Sequence, residues 1–212
     1  MMDTDIKINS GDSVRDELTN GDFQRLAEAW VEHQLGPLRE QTLGERTRER
    51  IGLNSGHKTD RIQRQAFQQR VEDDLQESAH SGNMAIAKKD ELVIGMVRVQ
   101  PITHVGEHSP IENGEIYELD KAYVNPKERR QGVYNRLRAE LIRRMQAEHP
   151  NAIILSGTHN EMVKKNNRTE GWEEIGFDGY LRVHGYPEEV IEREIDEYKN
   201  NGWTAFIKMP DV

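Results

Sequence analysis

Residues 124–134, Val-Asn-Pro-Lys-Glu-Arg-Arg-Gln-Gly-Val-Tyr, hold the most readily interpreted chemistry in the chain. Arg129 and Arg130 stand just ahead of Gly132, where an apolar strand gives way to a helical pattern. The unpaired N–H groups of a first helical turn point outward, and the helix dipole favours an anion there. A glycine lets a ligand come close to the backbone. This loop is therefore expected to bind a phosphorylated cofactor. The strand ahead of it offers three acids, Glu115, Glu118 and Asp120. Period-two alternation puts 118, 120, 122 and 124 on one face. Asp120 is then the same-face neighbour of Glu118, and repulsion between them would raise the pKa of one.

Two elements must position this loop. The stripe Val133, Leu137, Leu141 and Met145 predicts a helix from about Gly132 to Glu148. Before it, Ile116, Tyr117, Leu119, Ala122, Tyr123 and Val124 predict a strand over 115–124, with Pro126 fixing the turn between them. Upstream, Ile6 and Ile8 alternate on a short first strand. Asp22 is placed to N-cap a helix carrying Phe23, Leu26, Ala27, Trp30 and Val31, which Gly36-Pro37 ends. Residues 38–58 read as a long connection. Asp60 then caps a second helix that turns Ile62, Ala66, Phe67, Val71 and Leu75 inward and stops near Gly82. A hairpin pairs 84–87 with 92–99 across 88–91, and a polar loop spans 101–114. Downstream come a buried strand at 152–155, a helix within 161–174 and a strand at 180–183. A helix from Pro187 with Val190, Ile191, Ile195 and Tyr198, and a final strand at 203–207, complete the order. That order predicts an α/β fold with a mixed, mainly antiparallel sheet flanked by helices, and an extra helix between the last two strands.

Composition narrows the function classes. The 212 residues suit one domain over 1–212, and 34% hydrophobic residues imply a modest core. Residues 1–20 and 39–58 are candidates for flexible segments. No apolar run approaches a membrane span and no signal-peptide pattern opens the chain, so a soluble cytoplasmic protein without membrane partners is expected. The absence of cysteine excludes disulfides, thiolate zinc sites and a Cys nucleophile. The eight histidines form no H-E-x-x-H pattern, so no metal is expected. A net charge of −9 opposes nucleic-acid binding, whether it favours a cationic substrate or only solubility. The apolar face of the 187–200 helix offers a surface for a homodimer.

Val124, Pro126, Arg129 and Gly132 also match, at the expected spacings, the acyl-CoA motif V-x-P-x-x-[QR]-x-x-G-x-[GA] of the GNAT superfamily of N-acetyltransferases. Tyr134 departs from it, where Gly or Ala is usual. The resemblance is specific over 84–177 and topological outside that span. It implies an acyltransferase that moves an acetyl group from acetyl-CoA directly to a primary amine of a small molecule, peptide or protein. It further implies that the CoA pyrophosphate lies along Arg129, Arg130, Gln131, Gly132, Val133 and Tyr134. The pantetheine arm would pair with Ala122, Tyr123 and Val124 and meet Asn160, with Asn166 and Asn167 as alternatives.

Attack by an alkylammonium of pKa ~10.4 requires a base. Some members of the superfamily place a glutamate eleven residues ahead of the Q/R position, and Glu118 stands there. The oxyanion donor implied is the N–H of Val124 or of its neighbour. Many members supply an acid from a Y-x-x-x-G-F segment, but Trp172 replaces that tyrosine ahead of Gly176-Phe177. An indole has no proton to give at a useful pKa. Tyr123, Tyr134 or Tyr180 would then substitute, or the thiolate leaves unaided. The same departure motivates an alternative: a CoA-binding regulatory or assembly module without catalysis.

Overall fold

A computed structural model describes residues 6–35, 56–102, 115–198 and 202–210. Most of the expected connection at 38–58 and most of the loop at 101–114 lie outside the described residues. Seven strands form one open sheet in the order β1-β2-β3-β4-β5-β7-β6. They are β1 (Lys7–Ser10), β2 (Met84–Lys89), β3 (Leu92–Pro101), β4 (Ile116–Val124), β5 (Ile153–Thr158), β6 (Glu173–Glu174) and β7 (Thr204–Lys208). Neighbours run antiparallel except β4 and β5.

The helices are α1 (Asp12–Glu17), α2 (Asn20–Leu35), α3 (Gly56–His80), α4 (Val133–Glu148), α5 (Glu161–Thr169), α6 (Gly176–Val183) and α7 (Glu188–Tyr198). On one face of the sheet, Leu137, Leu141 and Met145 of α4 are fully buried against Ala85, Val97, Tyr117 and Ile154. Each such side chain contributes about 1.5–3 kcal/mol by leaving water. The opposite face carries α2 and α3, with Phe23, Leu26, Val71 and Leu75 on Met84, Ile86 and Met96. Further along the sheet, Val183 and Tyr180 of α6 cover Ile116, Ile153, Leu155 and Ile207.

The expected helices and strands differ from the observed ones in instructive places. Residues 7–17, within the segment read as a candidate for flexibility, form β1 and α1. Asp22 is not the N-cap of α2. Thr19 occupies that place, Asp22 accepts from its N–H at 2.9 Å, and the Thr19 hydroxyl accepts from the Asp22 N–H at 3.3 Å, a reciprocal capping box. The helix α3 begins ahead of Asp60, and its early turns run past the sheet, leaving Ile62 and Phe67 exposed. In the hairpin, Lys88 and Lys89 belong to β2. The turn is only Asp90-Glu91, both left-handed at φ 50° and 62°, as a two-residue turn matched to strand twist requires.

The largest correction concerns 180–183, which lies in helix α6 and not in a strand; the last strand before β7 is the short β6. Two helices, α6 and α7, therefore separate the final two strands. The short run Tyr180-Leu181-Arg182-Val183, three apolar residues around one arginine, fits either period. Here Phe177, Tyr180, Leu181 and His184 share the i, i+3, i+4, i+7 face that settles the matter.

Candidate functional site

The parallel pair β4–β5 is joined at only three positions, Ile116 with Ile153, Tyr117 with Ile154 and Glu118 with Leu155. Beyond them β4 continues to Val124 paired only with β3, and β5 continues to Thr158 paired only with β7. The two strands part at Glu118 and leave a gap in the sheet. Asn125 N–H donates to the Ile94 carbonyl at 2.8 Å, which closes the ladder on the β3 side. Alternation along an antiparallel strand then turns the N–H and C=O of Val124 and Ala122 toward the gap. Arg129 Nε donates to the Val124 carbonyl at 3.1 Å, folding the loop's first arginine over the strand end.

The loop is built from turn chemistry. The Asn125 side chain accepts from Lys127 N–H, Pro126–Glu128 make one tight 3-10 turn, and Arg130 and Gly132 take left-handed φ of 66° and 72°. Alternating left-handed residues aim successive N–H groups inward as an anion-binding nest. Gly132 opens α4 without any side-chain cap, and a Cβ placed on it would meet nothing within 4 Å. The first turn of α4 also holds no acidic residue. These features fit a diphosphate. The loop is tied to the body through Glu128, which accepts from Lys89 at 3.0 Å and from Gln131 at 2.9 Å. The Lys89 hydrogen bond holds the Glu128 carboxyl below its usual pKa.

Tyr134 departs from the motif without obstructing the loop. Its ring lies 5.6 Å from the guanidinium carbon of Arg138, and burial pushes its phenol pKa up. Arg138 is wholly buried between Tyr134 and Trp172, whose ring it approaches at 5.5 Å. It pairs with Glu170 and donates to Asn167, and so binds α4 to α5. Trp172 is a core residue with an unpartnered indole N–H. Asn167 is buried within this knot, and Asn166 donates to Asn135 at 2.9 Å. Asn160 stands at the end of β5, where its side-chain oxygen accepts from Met162 and Val163 and caps α5.

Glu118 is half-buried where the gap begins. Its expected face is partly corrected. Arg98 pairs with Lys121 and Val99 with Leu119, so Asp120 is an extra residue in a β-bulge. Parity flips across it. Leu119 and Val124 pack on the α4 side, whereas Tyr123 packs toward α2. Asp120 does not turn its charge on Glu118, because it accepts from Arg98 Nε at 2.8 Å and Lys121 Nζ at 2.9 Å. The partner of Glu118 is Tyr180, whose hydroxyl donates to Oε1 at 2.8 Å.

Of the three tyrosines that could substitute at Trp172, Tyr180 alone is hydrogen-bonded to Glu118. Tyr123 lies edge-on to His33 at 6.5 Å, with its pKa raised by burial against an opposing pull from Arg129. The roles of His184 and Trp203 beside Tyr180 were missed in the sequence. The signal available was the helical spacing of Phe177, Tyr180 and His184.

The site is thus an open gap between two parallel strands that ends on an uncapped helix with a nest of amides. Residues 53–165 match the acetyltransferase (GNAT) family, and the chain belongs to that family. No curated protein sequence matches it. Among solved structures, the chain is similar to PH1933 from Pyrococcus horikoshii OT3, with a TM-score of 0.55 at 12% identity over 98% of this chain and 100% of that one. It is also similar to the PaiA N-acetyltransferase from Thermoplasma acidophilum in complex with coenzyme A, with a TM-score of 0.51 at 13% identity over 97% and 99%. A third is N-acetylglutamate synthase from Neisseria gonorrhoeae complexed with coenzyme A and N-acetyl-glutamate. There the TM-score is 0.52 at 12% identity, and the match covers 99% of this chain but only 36% of that longer one. At these identities the likeness concerns the fold.

No helix of the described residues is long and apolar enough to cross a membrane. No cluster of potential metal ligands occurs among them either.

Proposed function

We propose that the chain is an acetyl-CoA-dependent N-acetyltransferase that transfers directly to a primary amine, with Glu118 as general base. One observation carries this reading: the gap between β4 and β5 starts at a carboxylate and ends at the uncapped amides of α4. Acetyl-CoA, when bound, supplies an acetyl group activated as a thioester. The amides of 129–134 would hold the diphosphate by hydrogen bonds and helix dipole. The inward groups of Ala122 and Val124 would pair with the pantetheine amides, and the Val124 N–H would face developing negative charge on the carbonyl oxygen. Glu118 would take a proton from the substrate ammonium, directly or through a water, freeing the neutral amine whose lone pair forms the N–C bond as the C–S bond breaks and the thiolate leaves. A thiol of pKa ~8.5 is a fair leaving group without a protein acid.

The family match, the CoA-bound neighbours and the open loop support this reading. A net charge of −9 suits a cationic acceptor. Incubation of the chain with radiolabelled acetyl-CoA and a panel of amines tests it. Turnover is expected, and Glu118→Gln should lower kcat by roughly 10²–10⁴ while leaving CoA affinity unchanged. CoA binding without turnover on any amine would instead favour a non-catalytic CoA-binding module, the reading that Trp172 motivates.

A further inference from the structure

We infer that Tyr180 is the positioning residue for Glu118, holding its carboxylate oriented from a helix that lies beyond the family-matched span. The inference rests on the reading of Glu118 as base. Its ground is geometric. The Tyr180 hydroxyl donates to Glu118 Oε1 at 2.8 Å across 62 positions of sequence. The family match ends at residue 165, so α6 lies outside the matched span.

The phenol is held on several sides. Trp203 meets its ring edge-on at 5.1 Å, His184 lies against it at 4.4 Å, and Phe177 stacks at 6.4 Å. Trp203 can take its place only because residue 157 of β5 is glycine. A Cβ there would come within 2.2 Å of the indole ring. A glycine on the strand facing Glu118 thus admits the indole that braces the tyrosine.

The groups surrounding Glu118 leave this hydrogen bond in control. Gln100, its cross-strand neighbour on β3, accepts from Arg98 at 2.8 Å. Arg98 and Lys121 are engaged by Asp120 and, from α3, by Asp74. From α6, His184 approaches with an Nε2 that is buried and unpartnered. Burial lowers its pKa, with Glu118 pulling the other way, so the ring tends to the neutral form near pH 7. With the cations committed to other carboxylates, the Tyr180 hydroxyl is left as the side-chain donor that orients Glu118. It also fixes one carboxylate oxygen, leaving the other for a substrate proton.

The test measures kcat and KM of the full chain with acetyl-CoA and the best amine of the panel. Tyr180→Phe should lower kcat about tenfold or more and leave CoA affinity unchanged. The Glu118→Gln/Tyr180→Phe pair should be no slower than Glu118→Gln alone, because Tyr180 acts through Glu118. Gly157→Ala, which displaces the bracing indole and leaves both Glu118 and Tyr180 in place, should lower kcat in the same direction. Parent-like kcat in folded Tyr180→Phe or Gly157→Ala, or a double variant slower than Glu118→Gln alone, overturns the inference. Turnover by the parent chain together with any of those results refutes the inference alone. Absence of turnover on any amine refutes the enzyme reading and, with it, any part for Tyr180 in catalysis.

Discussion

Two helices follow the two strands that part, and they begin in opposite ways. After β5, the Asn160 side chain fills the first N–H groups of α5. After β4, α4 opens on Gly132 with no side-chain cap. A missing cap forgoes about 0.5–2 kcal/mol of stability, and a serine or asparagine at position 132 would be the simple remedy. The left-handed backbone at Gly132, which side chains rarely adopt, stands against that remedy. The contrast teaches that the chain's own side chains leave the start of α4 open, while the start of α5 is complete in itself.

Substitutions at four positions would break or sharpen this comparison. The largest effect is expected where the two helices are tied together. Arg138→Ala removes a wholly buried side chain from between Tyr134 and Trp172 and should cost about 2–5 kcal/mol in urea unfolding. Arg138→Met, which keeps most of the volume, should cost less. If both unfold like the parent chain, the two helix starts are not mechanically joined through this residue.

Gly132→Val comes next. It places a β-branched residue at φ 72° and fills the open side of the nest, so CoA affinity by calorimetry should fall at least about tenfold. Unaltered affinity would mean that α4 is not the anion site. Asn160→Ala should cost about 1 kcal/mol in thermal unfolding and leave CoA affinity alone. A tenfold loss of affinity there would instead restore the pantetheine contact expected from sequence.

The smallest effect separates the two starts by pH. The α4 loop is tethered by charge, with the Lys89 hydrogen bond lowering the pKa of Glu128, whereas the α5 cap is a neutral amide. A carboxyl depressed in the folded state stabilises it above the unfolded pKa, and that stability is lost as pH falls through the folded value. The Tm difference between the parent chain and Glu128→Gln should therefore be present at pH 7 and close as pH drops below about 4. The difference for Asn160→Ala should persist through the same window.

Legibility in the sequence tracked the distance over which each feature is determined. The run from β4 through the loop to α4 is local, and its periodicity and turn residues placed it within a residue or two. The hairpin was equally local, down to its last two strand residues. The bulge at Asp120 was hidden because an extra residue shows only against a partner strand, and Arg98 and Val99 are that partner. The α6 helix was misread because Tyr180-Leu181-Arg182-Val183 has strand propensity, and only its setting beside Phe177 and His184 favours a helix. With α6 read as a strand, the contact between Tyr180 and Glu118 had no visible route. The expectation for Glu118 came from its spacing to Arg129, whereas its hydrogen-bond partner Tyr180 had no such spacing to mark it.

Three residue pairs are the whole of the seam between β4 and β5. The sheet is thus two leaves, β1 to β4 and β5 to β6, stitched at one end and spanned by α4. A ligand lying between the leaves would take up the ladder bonds they do not make to each other. Such a ligand would serve as an eighth strand as well as a reactant, and its departure would leave the molecule looser along that line with its outline unchanged.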